Sequence, residues 1–168
     1  TDPALVPDLP DKMEIPAYCS LTPEQAALYQ AQIDMLHAVL DELDPAARLM
    51  LILPILARLK QICNHPAQFQ GTDDYAPERS GKFRRLQELC ASIAARQEKT
   101  ILFTQFRSII PHLHDLLSGV FGRSGLTLHG GTPIPERQNI VTAFQKESGP
   151  PFCILSLKAA GTGQIGRA

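Results

Sequence analysis

The chain has 168 residues, 16 Lys and Arg against 17 Asp and Glu, and 44% apolar residues. That bounds it at about one domain able to bury its own core. It also excludes both default disorder and a globally basic nucleic-acid binder, so any phosphate contact must be local. The start carries no signal-peptide pattern, and the longest apolar run, residues 49–59, is interrupted by Pro54 and Arg58, short of the ~18 residues a membrane span needs.

Residues 1–19 read as an incoming linker, proline-rich and acidic to Pro10, followed by an edge strand at 12–19. Pro16 would be tolerated at a sheet edge and hardly elsewhere. Residues 20–66 read as a helical protrusion. Thr22 is placed to cap its first helix, with Pro23 at the first helical position and Gln25 at the capping-box position. An apolar stripe at Leu28, Ala31, Met35 or Leu36, and Val39 follows, ending near Asp44-Pro45. A second helix over 46–63, kinked or split by Pro54, ends at Asn64-His65-Pro66. Residues 67–79 have no period and read as a loop, expected to be disordered. Ser80 then caps a helix to Arg96, with Phe83, Leu86, Leu89, Cys90 and Ile93 buried.

Three apolar runs read as strands: residues 99–106, 126–132 and 151–158. Helical spacing fills the gaps, over 108–117 and after Thr132-Pro133, the latter with Ile134, Ile140, Val141 and Phe144 apolar and Arg137 exposed. Strands alternating with helices imply βαβ units and a parallel sheet, so residues 80–163 read as an α/β core. In such sheets the working groups lie beyond the carboxyl ends of the strands. Those ends are Thr104-Gln105, His129-Gly130-Gly131-Thr132 and residues 156–163. Hydroxyls, glycines and free backbone N–H groups at these corners suit phosphate.

Taken singly, the motifs are ambiguous. The Gly130-Gly131 pair ahead of a helix start fits an anion site, and equally a turn that merely needs glycine. Residues 156–163 join a hydroxyl, the Lys158 cation and exposed amides, but a solvated lysine in a glycine turn reads as well. No G-x-x-x-x-G-K-[ST] phosphate cradle exists in the chain. Cys63-x-His65 lacks the second ligand pair of a structural zinc, so no metal is expected. Cys19, Cys63, Cys90 and Cys153 read as reduced core thiols of an intracellular protein. His37, His112 and His114 read as surface or packing residues, and Arg84-Arg85 as a solvated helix face.

The ordered combination is more specific. Ser20-Leu-Thr-Pro-Glu-Gln25, Leu59-Lys-Gln-Ile-Cys-Asn-His-Pro66, Ser80-Gly-Lys82, Ile101-Leu-Phe-Thr-Gln-Phe106, Leu128-His-Gly-Gly-Thr132 and Ser156-Leu-Lys-Ala-Ala-Gly-Thr-Gly163 follow one another. Together they closely resemble the Snf2 family, double-stranded-DNA translocases of helicase superfamily 2, over about residues 12–163. The resemblance implies the second RecA-like lobe, with residues 101–106 as helicase motif IV and 156–163 as the start of motif V. Residues 164–168 depart from the family's run and read as a tail or scar.

The resemblance further implies an ATP- and Mg²⁺-dependent enzyme, nucleoid-associated in a bacterium or nuclear in a eukaryote. Its partners would be duplex DNA, the first RecA-like lobe and a DNA-bound protein. Thr104, Gln105, Gly130, Thr132, Arg137 and Lys158 are the expected contacts to DNA phosphates, and Gly161, Thr162 and Gly163 the expected residues at the nucleotide cleft. With the phosphate cradle missing, this chain alone is expected to be no ATPase. The rival reading is an α/β protein-interaction module without a nucleotide role, supported by the low net charge.

Overall fold

The computed structural model describes residues 13–40 and 44–157. In chain order these form helices α1 (Pro23–Leu40), α2 (Pro45–Asn64), α3 (Pro66–Gln70) and α4 (Gly81–Ala95). Strand β1 (Thr100–Thr104), α5 (Ile110–Phe121), β2 (Leu126–Leu128), α6 (Ile134–Gln145) and β3 (Phe152–Ser156) follow. The three strands make one parallel sheet in the order β1-β3-β2, the expected α/β architecture.

β3 is buried along its whole length because it is central and covered on both faces. Side chains alternate along a strand. Phe152 and Ile154 therefore enter a core with Phe83 and Cys90 of α4 and Ile110, Leu113 and Leu117 of α5. Cys153 and Leu155 face the other way, onto Leu128 and the Ile140 and Phe144 side chains of α6. Burying one such Ile or Phe contributes roughly 1.5–3 kcal/mol, so the sandwich on β3 is the energetic centre of the lobe. α6 covers the β2 side only, which leaves Ile101 and Phe103 of β1 47% and 55% exposed.

The protrusion is joined to this core through polar bonds. Thr22 N donates to Gln25 Oε1 and Gln25 N to Thr22 Oγ1, at 3.1 and 3.2 Å, a complete capping box. The same buried Gln25 accepts from Gly81 N (3.1 Å) and donates from Nε2 to Ile62 O (2.7 Å). One amide thus ties α1 to the end of α2 and the start of α4. Ser80 caps α4, accepting from Phe83 N while its hydroxyl donates to Asn64 O. Arg79 grips Glu24 and Asp74, and the Arg79 hydrogen bond holds the Glu24 carboxyl below the usual carboxylate range.

Several expectations are corrected. Residues 13–19 form no strand: Pro16 offers no N–H, and Met13, Ile15 and Tyr18 are 78–87% exposed, with no core to anchor a ladder. Of the two outcomes expected at Pro54, a split does not occur: α2 runs unbroken through it. Residues 67–79 are ordered. Pro66, Ala67 and Gln68 are buried in α3, and a 3₁₀ turn spans Pro77–Arg79. Leu89, expected in the buried stripe of α4, is exposed. Cys90 and Cys153 are core thiols, with burial pushing Cys153 up to about 11, but Cys19 is exposed.

His65 explains the order of the 67–79 segment. Its Nδ1 accepts from Ala67 N to cap α3, its Nε2 lies 3.0 Å from Ala76 O, and its ring stacks on Tyr75. Tyr75 in turn stacks on His112 of α5. Burial lowers the His65 pKa, with the Ala76 carbonyl opposing. A His whose folded pKa lies below the unfolded value, about 6.5, gives its full stability above that value. It loses stability as pH falls, at up to about 1.4 kcal/mol per pH unit until the folded pKa is passed. Urea midpoints are therefore expected to drop between pH 7 and pH 5, and to drop less in His65→Gln. Equal pH slopes for parent and variant would show that His65 is not the titrating group.

Candidate nucleic-acid interface

The parallel order brings two of the three expected corners to one edge of the sheet. At the end of β1, Thr104 Oγ1 accepts from Phe106 N at 3.3 Å, so this hydroxyl first serves its own turn. Gln105 is exposed, and its Oε1 accepts from Lys60 Nζ of α2 at 3.3 Å. Among the described residues the Gln105 amide N–H groups have no acceptor and can donate outward. Beside this corner, a largely apolar cavity of about 550 Å³ opens between α2, α4 and β1, with Lys60, Lys82 and Gln105 among its lining.

At the end of β2, residues 129–132 close on themselves. Thr132 N donates to His129 O, His129 N to Thr132 Oγ1, and Gly131 N to His129 Nδ1. Thr132 is only 8% exposed, so its hydroxyl shapes the turn. Gly130 is exposed with an open approach: a Cβ built there meets nothing within 4 Å. Arg137, expected to be exposed, is half-buried. It folds back to donate from Nε to Thr132 O (3.0 Å) and from Nη2 to Gly130 O (3.4 Å). It braces the loop by covering carbonyls that would otherwise face an anion.

The structure therefore brings Gln105 and Gly130 to open surface, places Thr104, Thr132 and Arg137 as supports of the two turns, and ends the third corner at Ser156 and Leu157. Lys158, Gly161, Thr162 and Gly163 lie outside the described residues. Two cations at these corners escaped the sequence reading: Lys60, tied to Gln105, and Arg107. Arg107 Nη1 stands 3.3 Å from where a Cβ on Gly131 would be. The available signal was a cation three residues past a strand end, and only the fold shows what it reaches. Among the described residues no cluster of His, Cys, Asp or Glu could hold a metal ion.

Residues 81–164, half of the chain, match the helicase conserved C-terminal domain. The chain belongs to this family, on its Snf2 branch. YwqA of Bacillus subtilis (strain 168), named for an ATP-dependent helicase/translocase, is 37% identical over 158 residues, 93% of this chain and 17% of the relative. The human SWI/SNF-related matrix-associated actin-dependent regulator of chromatin subfamily A member 1 is 30% identical over 92% of this chain, and 16% of that protein is covered. The Snf2 chain thus spans about a sixth of these relatives' length. The solved Sulfolobus solfataricus SWI2/SNF2 ATPase C-terminal domain superposes with a TM-score of 0.81 at 33% identity, over 87% of this chain and 64% of that one. The Sulfolobus ATPase core in complex with dsDNA gives 0.82 at 35% identity, over 92% and 33%. The fold is the Snf2 C-terminal RecA-like lobe, with α1 and α2 projecting from it.

Proposed function

We propose that this lobe belongs to an ATP-dependent double-stranded-DNA translocase that displaces or remodels DNA-bound protein, and that its own task is to hold one DNA strand by the phosphates. The observation that carries the reading is the open surface at the carboxyl ends of β1 and β2, where Gln105 and Gly130 offer uncommitted N–H groups on braced turns. Such donors position a backbone without reading its sequence. The likeness to a Sulfolobus ATPase core solved with dsDNA supports it. Lys158 joins as a further phosphate ligand, and Gly161, Thr162 and Gly163 act at the nucleotide cleft toward the first lobe. In a cell the enzyme would work where the DNA is, at the nucleoid or in the nucleus.

Mg²⁺ and ATP do not fit the described residues by themselves. No metal-ligating cluster is among them, and the chain has no G-x-x-x-x-G-K-[ST] run. Phosphoryl transfer rests on positioning and charge stabilisation from both sides of the phosphate, so the remaining groups belong to the partner lobe.

Titrating the purified chain with fluorescent duplexes of two unrelated sequences tests this. Weak binding of equal strength for both is expected, falling as salt rises, with ATP turnover no greater than a buffer blank. Sequence-selective binding, or none at the lowest salt, would overturn the DNA role, and the latter would favour the interaction-module reading.

A further inference from the structure

Arg107 lies just beyond the carboxyl end of β1, yet its guanidinium rests against Gly131, which follows β2. β1 and β2 are not neighbours, since each pairs with β3 between them. Thr104 is in register with Ser156 and Leu128 with Leu155, so all three strands end at one level. A side chain that starts past β1 and reaches the loop after β2 therefore joins the corners of the two outer strands. Gly131 allows this: a Cβ there would stand 3.3 Å from Arg107 Nη1, tighter than an ordinary contact. The reach puts a cation beside the loop that follows β2.

That cation is unspent. Among the described residues Arg107 makes no ion pair or hydrogen bond, whereas Arg137, behind the same loop, is committed to the carbonyls of Gly130 and Thr132. An anion arriving at the loop therefore meets a guanidinium fork and a Gly130 N–H that have no partner among the described residues, with the Gly130 and Thr132 carbonyl oxygens already covered. The fork geometry suits two oxygens of one phosphate. Arg107, Gly130 and Gly131 are all exposed among the described residues, which favours a phosphate within a polymer laid across the site over an enclosed nucleotide.

From this geometry, and resting on the DNA role proposed above, we infer that Arg107 is a direct phosphate ligand of this lobe, gripping a phosphodiester where the bound strand passes the loop after β2.

Arg107→Ala and Arg107→Lys are compared with the parent and with Arg96→Ala. The control removes an exposed cation paired with Glu98 at the opposite end of the sheet, and so matches the change in net charge. Each protein is titrated with fluorescent duplex DNA at several salt concentrations, and separately with ATP. Arg107→Ala is expected to weaken DNA binding about tenfold or more and to flatten the plot of log affinity against log salt by about one unit. Arg107→Lys should keep the salt slope and lose several-fold in affinity, because a point charge replaces the fork. Arg96→Ala should follow the parent. If the parent binds DNA with its salt dependence and Arg107→Ala matches it, the inference is wrong and the DNA role stands. If no protein binds DNA at low salt, both fall. A loss of ATP binding alone would move the phosphate to the nucleotide and overturn the assignment to DNA. Matched circular dichroism melts exclude unfolding as the cause.

Discussion

Replacing Gln25 with Leu is expected to cost the chain about 3–5 kcal/mol. Gln25 is fully buried and serves three partners: the N–H groups of Thr22 and Gly81, and the carbonyl of Ile62 at the end of α2. Leucine keeps the volume and removes every side-chain bond, leaving only the backbone bond from residue 25 to Thr22 Oγ1. Each buried group left unpaired costs about 1–3 kcal/mol, the Thr22 N–H of the capping box among them. Some relief comes from water reaching Gly81, which is half-buried, so the sum falls below the upper limit. Against a typical stability of roughly 5–15 kcal/mol the loss is large, and urea unfolding at neutral pH reads it directly. Gln25→Glu refines the test. Its carboxylate can still accept from Thr22 N and Gly81 N but turns an oxygen toward Ile62 O, a contact that only the protonated acid can satisfy. The folded pKa of that Glu is raised, so its deficit relative to the parent should shrink as pH falls. A Gln25→Leu chain within about 0.5 kcal/mol of the parent would mean that the three bonds carry no weight.

Gly81→Ala is expected to destabilise by about 2–4 kcal/mol. A Cβ on Gly81 would stand 1.8 Å from the backbone oxygen of Ser20, which no rotamer change can relieve. Either residues 18–21 must leave the start of α4, or α4 must shift and break the Gly81 N to Gln25 Oε1 bond. Both routes strain the joint between protrusion and sheet, and overpacking against backbone lies at or above the usual 1–3 kcal/mol. For a chain of this length that is a fall of about 4–16 °C in Tm. Gly130→Ala is the matched control: its Cβ meets nothing within 4 Å, and its melting temperature should stay with the parent's. If the two variants melt together, the Ser20 approach is looser than described here.

The two substitutions act on one object, the junction where α1, the end of α2 and the start of α4 share hydrogen bonds. That junction ties the protrusion to the lobe by hydrogen bonds. The phosphate-suited corners sit on the sheet and Lys60 sits on α2, and the Lys60–Gln105 bond crosses between the two parts. A change in how the protrusion sits would thus be felt at the end of β1.

Much of the architecture was legible in the amino-acid sequence because its signals are local. Thr22, Pro23 and Gln25 lie within four positions and form their cap almost unaided. Ser80 does the same for α4, and the three apolar runs are strands because alternating faces must be buried. The positions of Thr104-Gln105 and residues 129–132 followed from strand ends alone. What the sequence could not determine depends on partners far along the chain. Gln25 meets Ile62 and Gly81 only after folding, so its weight as a tertiary joint is hidden behind its capping role. Residues 67–79 lack any period, yet His65, Tyr75 and His112 hold them by stacking, and ring contacts leave no repeat in sequence. Arg137 reads as an exposed helix cation and Arg107 as one more charge after a strand. Arg137 turns inward onto carbonyls five and seven residues back, a loop geometry that helical spacing does not show, and the order β1-β3-β2 sets the distance that Arg107 spans. Strand order is decided by which buried faces pack best together, a property of the whole core that no single stretch contains.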